Sequence, residues 1–231
     1  MKRFWKDAAL LRADGGWQVA LDGRPVRTPA RVPLGLPTQA LGEAVADEWR
    51  SAGETVNPRA MPLTGLANAA IDRVAPEPAA FAANLASYAA SDLLCYRADS
   101  PAPLIARQAE LWDALLHWAR RRYDVDFVVT TGVAPVDQSP DTLARLDQAV
   151  AVLDPFTLAG LSPLVTVGGS LVGALAVLEQ AVDVDRAWAA VSIDEAWQLE
   201  QWGSDAEAEK AMAAREADFR AGALFLDLLR T

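Results

Sequence analysis

The residue types that most often carry out catalysis or bind metals are scarce in this chain of 231 residues. It has one histidine, His117, and one cysteine, Cys95. A zinc site with several imidazole or thiolate ligands is therefore excluded, and no intrachain disulfide can form. His117 has no neighbouring serine or cysteine in sequence to activate, and Cys95 follows two leucines, as a small buried apolar side chain would. The chain also lacks the short motifs of serine hydrolases, zinc proteases and P-loop nucleotide-binding proteins. The sequence therefore predicts no catalytic residues, no metal and no cofactor.

One carboxylate lies within an apolar pattern and is a better candidate for a functional residue. A single helix over residues 185–202 would align five side chains on one stripe at about 100° per residue: Trp188, Val191, Glu195, Leu199 and Trp202. Burying a carboxylate there without a partner would cost several kcal/mol or raise its pKa until it takes up a proton. Two interpretations stay open. Either Glu195 forms a salt bridge with an arginine of the helical domain, or it belongs to a docking site for another protein.

The distribution of charge indicates which kinds of partner the protein can bind. The formal net charge of −10 disfavours nucleic acid, whose binding depends on Lys and Arg neutralising phosphates. Residues 1–31 carry seven bases and three acids, whereas residues 194–218 carry eight acids and two bases. These regions are either two ordinary solvated faces or a polarised surface that steers one protein partner.

The first 35 residues have the pattern of short strands. Glycine-containing turns at Asp14-Gly15-Gly16 and Asp22-Gly23 separate apolar segments, and the second has the length of a two-residue hairpin. Helical signals follow, because Thr38 can cap a helix that runs to about Ala52. Trp49 would share one face of that helix with Leu41 and Val45, either in the core or at a contact surface.

The rest of the chain is mainly helical. The periodicity predicts an α+β fold, with a small β-rich amino-terminal domain over residues 1–57 and a larger helical domain over residues 58–231. One isolated strand is predicted at Asp126–Thr131, and whether it joins the amino-terminal sheet stays open. Further helices are predicted at Pro62–Val74, Ala79–Leu94, Pro103–Tyr123, Pro140–Leu153, Asp185–Trp202 and Ser204–Leu229.

An uncharged segment, Pro155–Leu178, is long enough to cross a bilayer. It contains Pro163 and four glycines, acids flank it on both sides, and neither edge carries Lys, Arg, Trp or Tyr. This pattern favours a buried helix, either kinked or broken in two near Gly168-Gly169, over a membrane span.

Short motifs in a fixed order extend over nearly the whole chain. Together they closely resemble the assembly chaperone family for the alpha subunit of F-type ATP synthase. The first group comprises Arg3-Phe4, Leu21-Asp22-Gly23-Arg24, Thr28-Pro29, Glu48-Trp49, Gly53-Glu54, Asn57-Pro58, Met61-Pro62-Leu63-Thr64 and Ala70-Ile71-Asp72. The second group comprises Asp92-Leu93-Leu94-Cys95-Tyr96-Arg97, Arg107-Gln108, Trp112, Gln198 and Trp202-Gly203.

The resemblance implies a non-enzymatic, ATP-independent chaperone with a β-rich amino-terminal domain and a larger helical domain. Members bind the free alpha subunit and cover the surface that later contacts the beta subunit. The resemblance assigns partner binding to the acid before the Gln and Trp-Gly motif, which Glu195 matches, although Asp194 is an equal candidate by position. It also points to Trp49 and Trp202 as partner-binding residues.

We further expect a monomer in the bacterial cytoplasm, since the strands begin at the first residues without a presequence, whereas eukaryotic relatives are mitochondrial. The alternative is an enzyme or small-ligand-binding protein that uses a groove between the two domains. Its candidate polar groups are Arg24, Arg27 and Asp72.

Overall fold

The amino-terminal strands form where the turn residues predict them. The computed structural model describes residues 2–203 and 206–230. Strand β1 (Ala8–Ala13) pairs antiparallel with β2 (Gly16–Leu21). Strand β2 also pairs with the two-residue strands β3 (Arg24–Pro25) and β4 (Gly35–Leu36), so it lies at the centre of a four-stranded sheet.

The hairpin between β2 and β3 has a backbone conformation that few residue types adopt. Asp22 and Gly23 have φ values of +48° and +78°, the left-handed conformation that a type I′ turn requires at both central positions. The Asp22 carboxylate accepts hydrogen bonds from the backbone N–H groups of Lys6 and Asp7, which lowers its pKa. The Asp-Gly pair therefore fixes both the turn and the chain segment that enters β1.

The first helix also forms as predicted. Helix α1 (Gln39–Arg50) begins after Thr38, whose Oγ1 accepts a hydrogen bond from the Leu41 N–H at 3.2 Å. Its buried face packs on the sheet and on side chains from elsewhere in the chain. This cluster includes Trp5, Val19, Leu21, Leu34, Leu36, Leu41, Val45, Trp49, Leu63 and Phe225.

Helix α2 (Pro62–Ala69) is held to α1 by the Glu48 carboxylate. Oε1 accepts the Leu63 N–H at 2.8 Å, and Oε2 accepts the N–H and the hydroxyl of Thr64 at 2.8 and 2.6 Å. These groups would otherwise be unpaired donors in the first turn of α2. Burial raises the pKa of Glu48, and these hydrogen bonds oppose the rise.

The chain separates into two compact units. Unit 1 comprises Met1–Pro78, Asp154–Gly160 and Leu224–Thr231, and unit 2 comprises Ala79–Leu153 and Leu161–Ala223. The predicted domain boundary lies after residue 57, whereas residues 58–78 belong to unit 1, where the Glu48 carboxylate caps α2.

Helices make up most of the remaining chain, so the predicted α+β fold, with a small β-rich amino-terminal part and a larger helical part, is confirmed. The helices after α2 are α3 (Pro78–Ala86), α4 (Ala102–Tyr123), α5 (Pro140–Ala151), α6 (Pro155–Gly168), α7 (Leu171–Leu178), α8 (Val184–Val191), α9 (Ile193–Trp202) and α10 (Ala206–Leu228).

One predicted helix is shorter than expected, and the start of another cannot be compared. Helix α3 ends at Ala86, and 3₁₀ turns at Ser87–Ser91 and Leu93–Cys95 replace the rest of the helix predicted to reach Leu94. The predicted start of the last helix, Ser204, lies outside the described residues.

The single helix predicted over residues 185–202 is wrong, because α8 and α9 are separate helices. The chain leaves helical geometry at Ser192, where φ is −109° and ψ is 8°. The Ser192 hydroxyl donates to the Trp188 carbonyl at 2.7 Å, a back-bond that bends helices. Trp202 and Trp188 do not share a buried stripe. Trp202 is 80% exposed, whereas Trp188 is 6% exposed.

The strand predicted at Asp126–Thr131 is reduced to β6 (Thr130–Thr131), and it does not join the amino-terminal sheet. It pairs in parallel with β5 (Tyr96–Arg97) in unit 2. The Gln138 side chain occupies the backbone groups of Val128, since it donates to the Val128 carbonyl and accepts from the Val128 N–H.

The uncharged segment forms two helices, α6 and α7, as one of the two alternatives predicted. Gly169, with φ of +66°, separates them, and the Ser170 hydroxyl caps α7 by accepting the Gly173 N–H at 2.9 Å. Among the residues the structure describes, no helix combines the length and apolar character that crossing a bilayer requires.

A buried carboxylate joins two parts of unit 2. Asp92 is fully buried; its Oδ1 accepts the Leu94 N–H at 3.0 Å, and its Oδ2 accepts the Val172 N–H at 2.9 Å. Burial raises the pKa of Asp92 to about 6, against the lowering effect of its hydrogen bonds. The carboxylate therefore fixes the 3₁₀ turn against the first turn of α7.

We expect Asp92→Asn to destabilise the protein by about 1–3 kcal/mol, because the amide NH₂ cannot accept one of these backbone N–H groups. The cost is expected to depend on pH. The folded protein keeps the Asp92 proton up to about pH 6, whereas the unfolded chain releases it near 3.8. The folded state therefore binds more protons in this window, and the stability that Asp92 contributes falls as the pH rises through it.

Urea unfolding below and above pH 6 measures this effect. The difference in unfolding free energy between the wild type and Asp92→Asn is expected to narrow as the pH rises. Asp147→Asn, on an exposed position of α5, is the matched control and is expected to show no such trend. A difference that stays constant or widens would contradict a raised pKa.

Candidate functional site

The two candidate acids of the sequence analysis share the first turn of α9 but have different partners. Asp194 Oδ1 accepts a hydrogen bond from Gln108 Nε2 of α4 at 2.7 Å. Glu195 Oε1 accepts from Arg215 Nη1 of α10 at 2.6 Å. The geometry therefore distinguishes two positions that the sequence leaves equivalent.

Gln108 links Asp194 to the loop that follows β5. Its side chain is buried, and its Oε1 accepts the Ala98 N–H at 2.8 Å while its Nε2 donates to Asp194. Partial burial raises the pKa of Asp194, the hydrogen bond from Gln108 lowers it, and the nearby charge of Glu195 raises it further. Asp194 is thus a half-buried carboxylate whose hydrogen-bond partner, Gln108, is neutral.

Glu195 forms a salt bridge with an arginine of the helical part, as the first of its two interpretations predicts. Arg215 also donates from Nη2 to the Val167 carbonyl at 3.0 Å. The Glu195 and Arg215 side chains remain 44% and 41% exposed, so the pair lies at the surface. A contribution of about 0–1 kcal/mol is typical of such a pair, and its exposure leaves Glu195 accessible to a partner.

Asp194 lines a groove of about 480 Å³ in unit 2. One side is the segment from β5 into α4, another is α9, and Gly132 and Val133 close a third. The lining residues are Leu93, Tyr96, Arg97, Ala98, Asp99, Ser100, Pro101, Leu104, Gln108, Gly132, Val133, Asp194, Trp197, Gln198 and Trp202.

Two large apolar side chains of the groove are open to solvent. Val133 is 96% exposed and Trp202 80% exposed. Exposed apolar surface that is grouped in a concave site marks a place of interaction more often than scattered apolar residues do. Trp202 was predicted from the sequence, whereas no sequence pattern indicated Val133.

The Arg107 side chain lies against Trp197. The Arg107 guanidinium lies 4.9 Å from the Trp197 ring centroid, within cation–π range. The same guanidinium pairs with Glu200 through Nη1, at 2.8 and 2.9 Å from its two carboxylate oxygens. The Arg107-Gln108 pair of α4 therefore positions both the aromatic and the acidic side chains of α9. Its role was missed in the sequence analysis, because residues about 90 positions apart had to be paired.

Trp49 lies in the other unit and is a core residue. It is 9% exposed, and its ring centroid is 5.2 Å from that of Trp5, whose Nε1 donates to the Trp49 carbonyl. The structure does not bring Trp49 together with Asp194, Glu195 and Trp202 in one unit. Its contact with a partner stays a prediction.

Two of the three polar groups of the alternative small-ligand site, Asp72 and Arg27, are hydrogen-bonded within unit 1. Asp72 accepts from the Thr28 hydroxyl at 2.6 Å and from the Ala30 N–H at 2.9 Å. Arg27 donates to the Arg31 carbonyl at 2.7 Å, and Arg24 is exposed on β3. These bonds organise the loop after β3, so no observation favours a reactive centre at these residues.

The structure places the single cysteine in the interior and the single histidine at the surface. Cys95 is buried, as predicted, and burial raises the pKa of its thiol to about 12. His117 is exposed, with Nδ1 2.7 Å from the Asp113 carbonyl. Within residues 2–203 and 206–230, no three His, Cys, Asp or Glu side chains are grouped closely enough to hold a metal ion.

The family of this chain follows from its similarity to known proteins. A model of the ATP12 chaperone protein family matches residues 2–120, which is more than half of the chain. The chain belongs to the ATP12 chaperone family. The family resemblance predicted from the sequence is therefore confirmed.

Solved structures of ATP12 proteins are similar over the full fold. Atp12 from Paracoccus denitrificans is 47% identical, with a TM-score of 0.93 over 99% of this chain and 98% of that chain, and an aspartate-to-lysine variant of it matches equally well. A candidate chaperone from Agrobacterium tumefaciens is 39% identical, with a TM-score of 0.93 over 99% of this chain and 86% of its own. The mitochondrial atp12 protein of Schizosaccharomyces pombe is 24% identical over 215 residues, 88% of this chain and 74% of the relative.

We expect Gln108→Leu to lower the free energy of unfolding by about 2 kcal/mol, because the Ala98 N–H and the Asp194 carboxylate both lose a hydrogen-bond partner. Urea unfolding is the measurement. Gln148→Leu, at an exposed position of α5, makes the same chemical change without breaking this link and is expected to shift stability by less than about 0.5 kcal/mol. Equal effects of the two substitutions would show that Gln108 does not organise the site.

Proposed function

We propose that this ATP12-family protein is an ATP-independent assembly chaperone. It binds the free alpha subunit of F-type ATP synthase and covers the surface that later contacts the beta subunit. The observation that carries this proposal is the groove of unit 2, where a member of a chaperone family exposes Trp202 and Val133 beside a half-buried carboxylate. Such a surface fits another protein better than it fits a reactive small molecule.

The physical need for such a chaperone follows from the nature of permanent subunit interfaces. An obligate interface is large and apolar, resembling a domain core cut in half. Until its partner arrives, the isolated subunit exposes that surface and aggregates. A chaperone that binds the same surface prevents aggregation, and the true partner displaces it by binding more tightly, so release needs no nucleotide.

The proposal assigns partner binding to four side chains, three of them through direct contact. Glu195 and Asp194 supply negative charge from the first turn of α9, and Trp202 supplies exposed aromatic surface at its end. Trp49, which is almost fully buried, acts mainly by supporting the face that α1 presents. No bond-making step is assigned to the protein.

The proposed setting is the bacterial cytoplasm, with the protein acting as a monomer that forms a one-to-one complex with its client. The net charge of −10 fits a protein partner rather than nucleic acid.

Co-expression with the alpha subunit tests the proposal. With this protein present, the alpha subunit is expected to stay in the soluble fraction and to elute with it as a one-to-one complex in size-exclusion chromatography. An alpha subunit that aggregates equally with and without this protein would refute the proposal.

The role of Glu195 is tested by reversing its charge. We expect Glu195→Lys to remain folded, since the pair is exposed, and to bind the alpha subunit at least about tenfold more weakly, or about 1.4 kcal/mol. Calorimetric titration gives the affinity, and circular dichroism verifies the fold.

The double variant Glu195→Lys/Arg215→Glu is the control, because it restores an ion pair with the charges exchanged. If Glu195 contacts the client directly, binding stays weak in the double variant. Recovery of binding would mean that Glu195 acts only through Arg215.

A further inference from the structure

We propose that the groove of unit 2 receives one segment of the client in which an apolar side chain is followed or preceded within a few residues by a lysine or arginine. This inference rests on the proposed chaperone function and specifies what the groove recognises. It makes the groove the anchoring point of a larger contact surface.

The apolar part of this recognition comes from the groove walls. Val133 and Trp202 are exposed above it, and Leu93, Leu104 and Trp197 line it. A volume of about 480 Å³ lies in the range of sites that take a small ligand, so it holds a few side chains rather than a whole interface. Protein interfaces concentrate much of their binding energy in such pockets, filled by apolar or aromatic anchors.

The charged part follows from how the groove's ionic groups are paired. Arg97, the cation in the groove wall, is already engaged, since its Nη2 pairs with Asp113 at 2.7 Å and its guanidinium lies 5.2 Å from the Trp112 ring centroid. Asp194 and Asp99 also line the groove. In the part of the chain that the structure describes, no salt bridge joins either of these acids to a cation.

The groove therefore presents negative charge without a compensating cation of its own. Asp194 has already lost part of its hydration, and its hydrogen bond from Gln108 comes from a neutral group. An incoming ammonium or guanidinium would gain more from such a partly desolvated carboxylate than from a fully hydrated one. A client segment with only apolar side chains would leave this charge unpaired.

Two exposed valines of unit 2 provide a matched test. Val133 lies in the groove, and Val152, which follows α5, is 81% exposed and does not line it. A photo-crosslinking amino acid at either position replaces an exposed side chain, so both variants are expected to fold. The probe is the purified alpha subunit of the cognate synthase, and mass spectrometry identifies the crosslinked peptide.

The crosslinker at position 133 is expected to capture the alpha subunit at one segment, with a lysine or arginine within a few residues of the crosslinked site, and position 152 is expected to give little product. Equal capture from the two positions, or a captured segment without a nearby cation, would overturn the proposal. So would capture of a second copy of this chain, whose residues 1–31 carry net positive charge.

Affinity measurements separate this inference from the chaperone function itself. Asp194→Asn keeps an oxygen for Gln108 but removes the charge, and it is expected to weaken alpha-subunit binding about tenfold and to reduce its dependence on salt. Val133→Ser is also expected to weaken binding, whereas Val152→Ser is not.

If the wild type binds the alpha subunit and the groove variants bind it equally well, the groove assignment fails and the chaperone function stands. If the wild type does not bind the alpha subunit, both proposals fail.

Discussion

The candidate site depends on the buried amide of Gln108. One side chain of α4 accepts a hydrogen bond from the loop after β5 and donates one to the first turn of α9, so it links two sides of the groove. An amide suits this position because it carries a donor and an acceptor on one rigid group. A carboxylate there could not donate to Asp194, and an apolar residue would leave both partners unpaired.

Other carboxylates of the family-like motifs bind the protein's own backbone. Glu48 accepts from the first turn of α2, Asp92 from the first turn of α7, and Asp72 from the loop after β3. Each satisfies N–H groups that helix starts and turns leave without partners. A residue in a short motif shared with a family can therefore be required for the fold as readily as for contact with the client. Asp92, which is fully buried, is an example of the first case, whereas Glu195, which is almost half exposed, is the proposed example of the second.

Local chemistry explains which features could be predicted. The turn at Asp22-Gly23, the cap at Thr38 and the break near Gly169 depend on neighbouring residues, and all three are present. The break at Ser192 could not be predicted from the sequence, because serine is tolerated in helices. Only the structure shows the hydrogen bond from its hydroxyl to the Trp188 carbonyl that accompanies the break. The shortening of the predicted strand to β6 and the presence of the groove could not be predicted, because both depend on pairings between distant residues, such as Gln108 with Asp194, which periodicity does not reveal. The sequence also could not distinguish the role of Asp194 from that of Glu195. Adjacent positions of a helix point about 100° apart, so the two side chains meet different neighbours, and the sequence does not reveal which neighbours these are.

The composition of unit 1 has a consequence for how the protein is made. Phe225 is a fully buried member of the apolar cluster around β2 and α1, and the Thr38 hydroxyl donates to the Leu228 carbonyl at 2.6 Å across 190 positions of sequence. On the ribosome, the strands and α1 emerge long before these partners do. Part of the apolar interior of the amino-terminal unit therefore stays uncovered until synthesis reaches residues 224–230, so this member of a chaperone family passes through a stage in which its own apolar surface is exposed to aggregation.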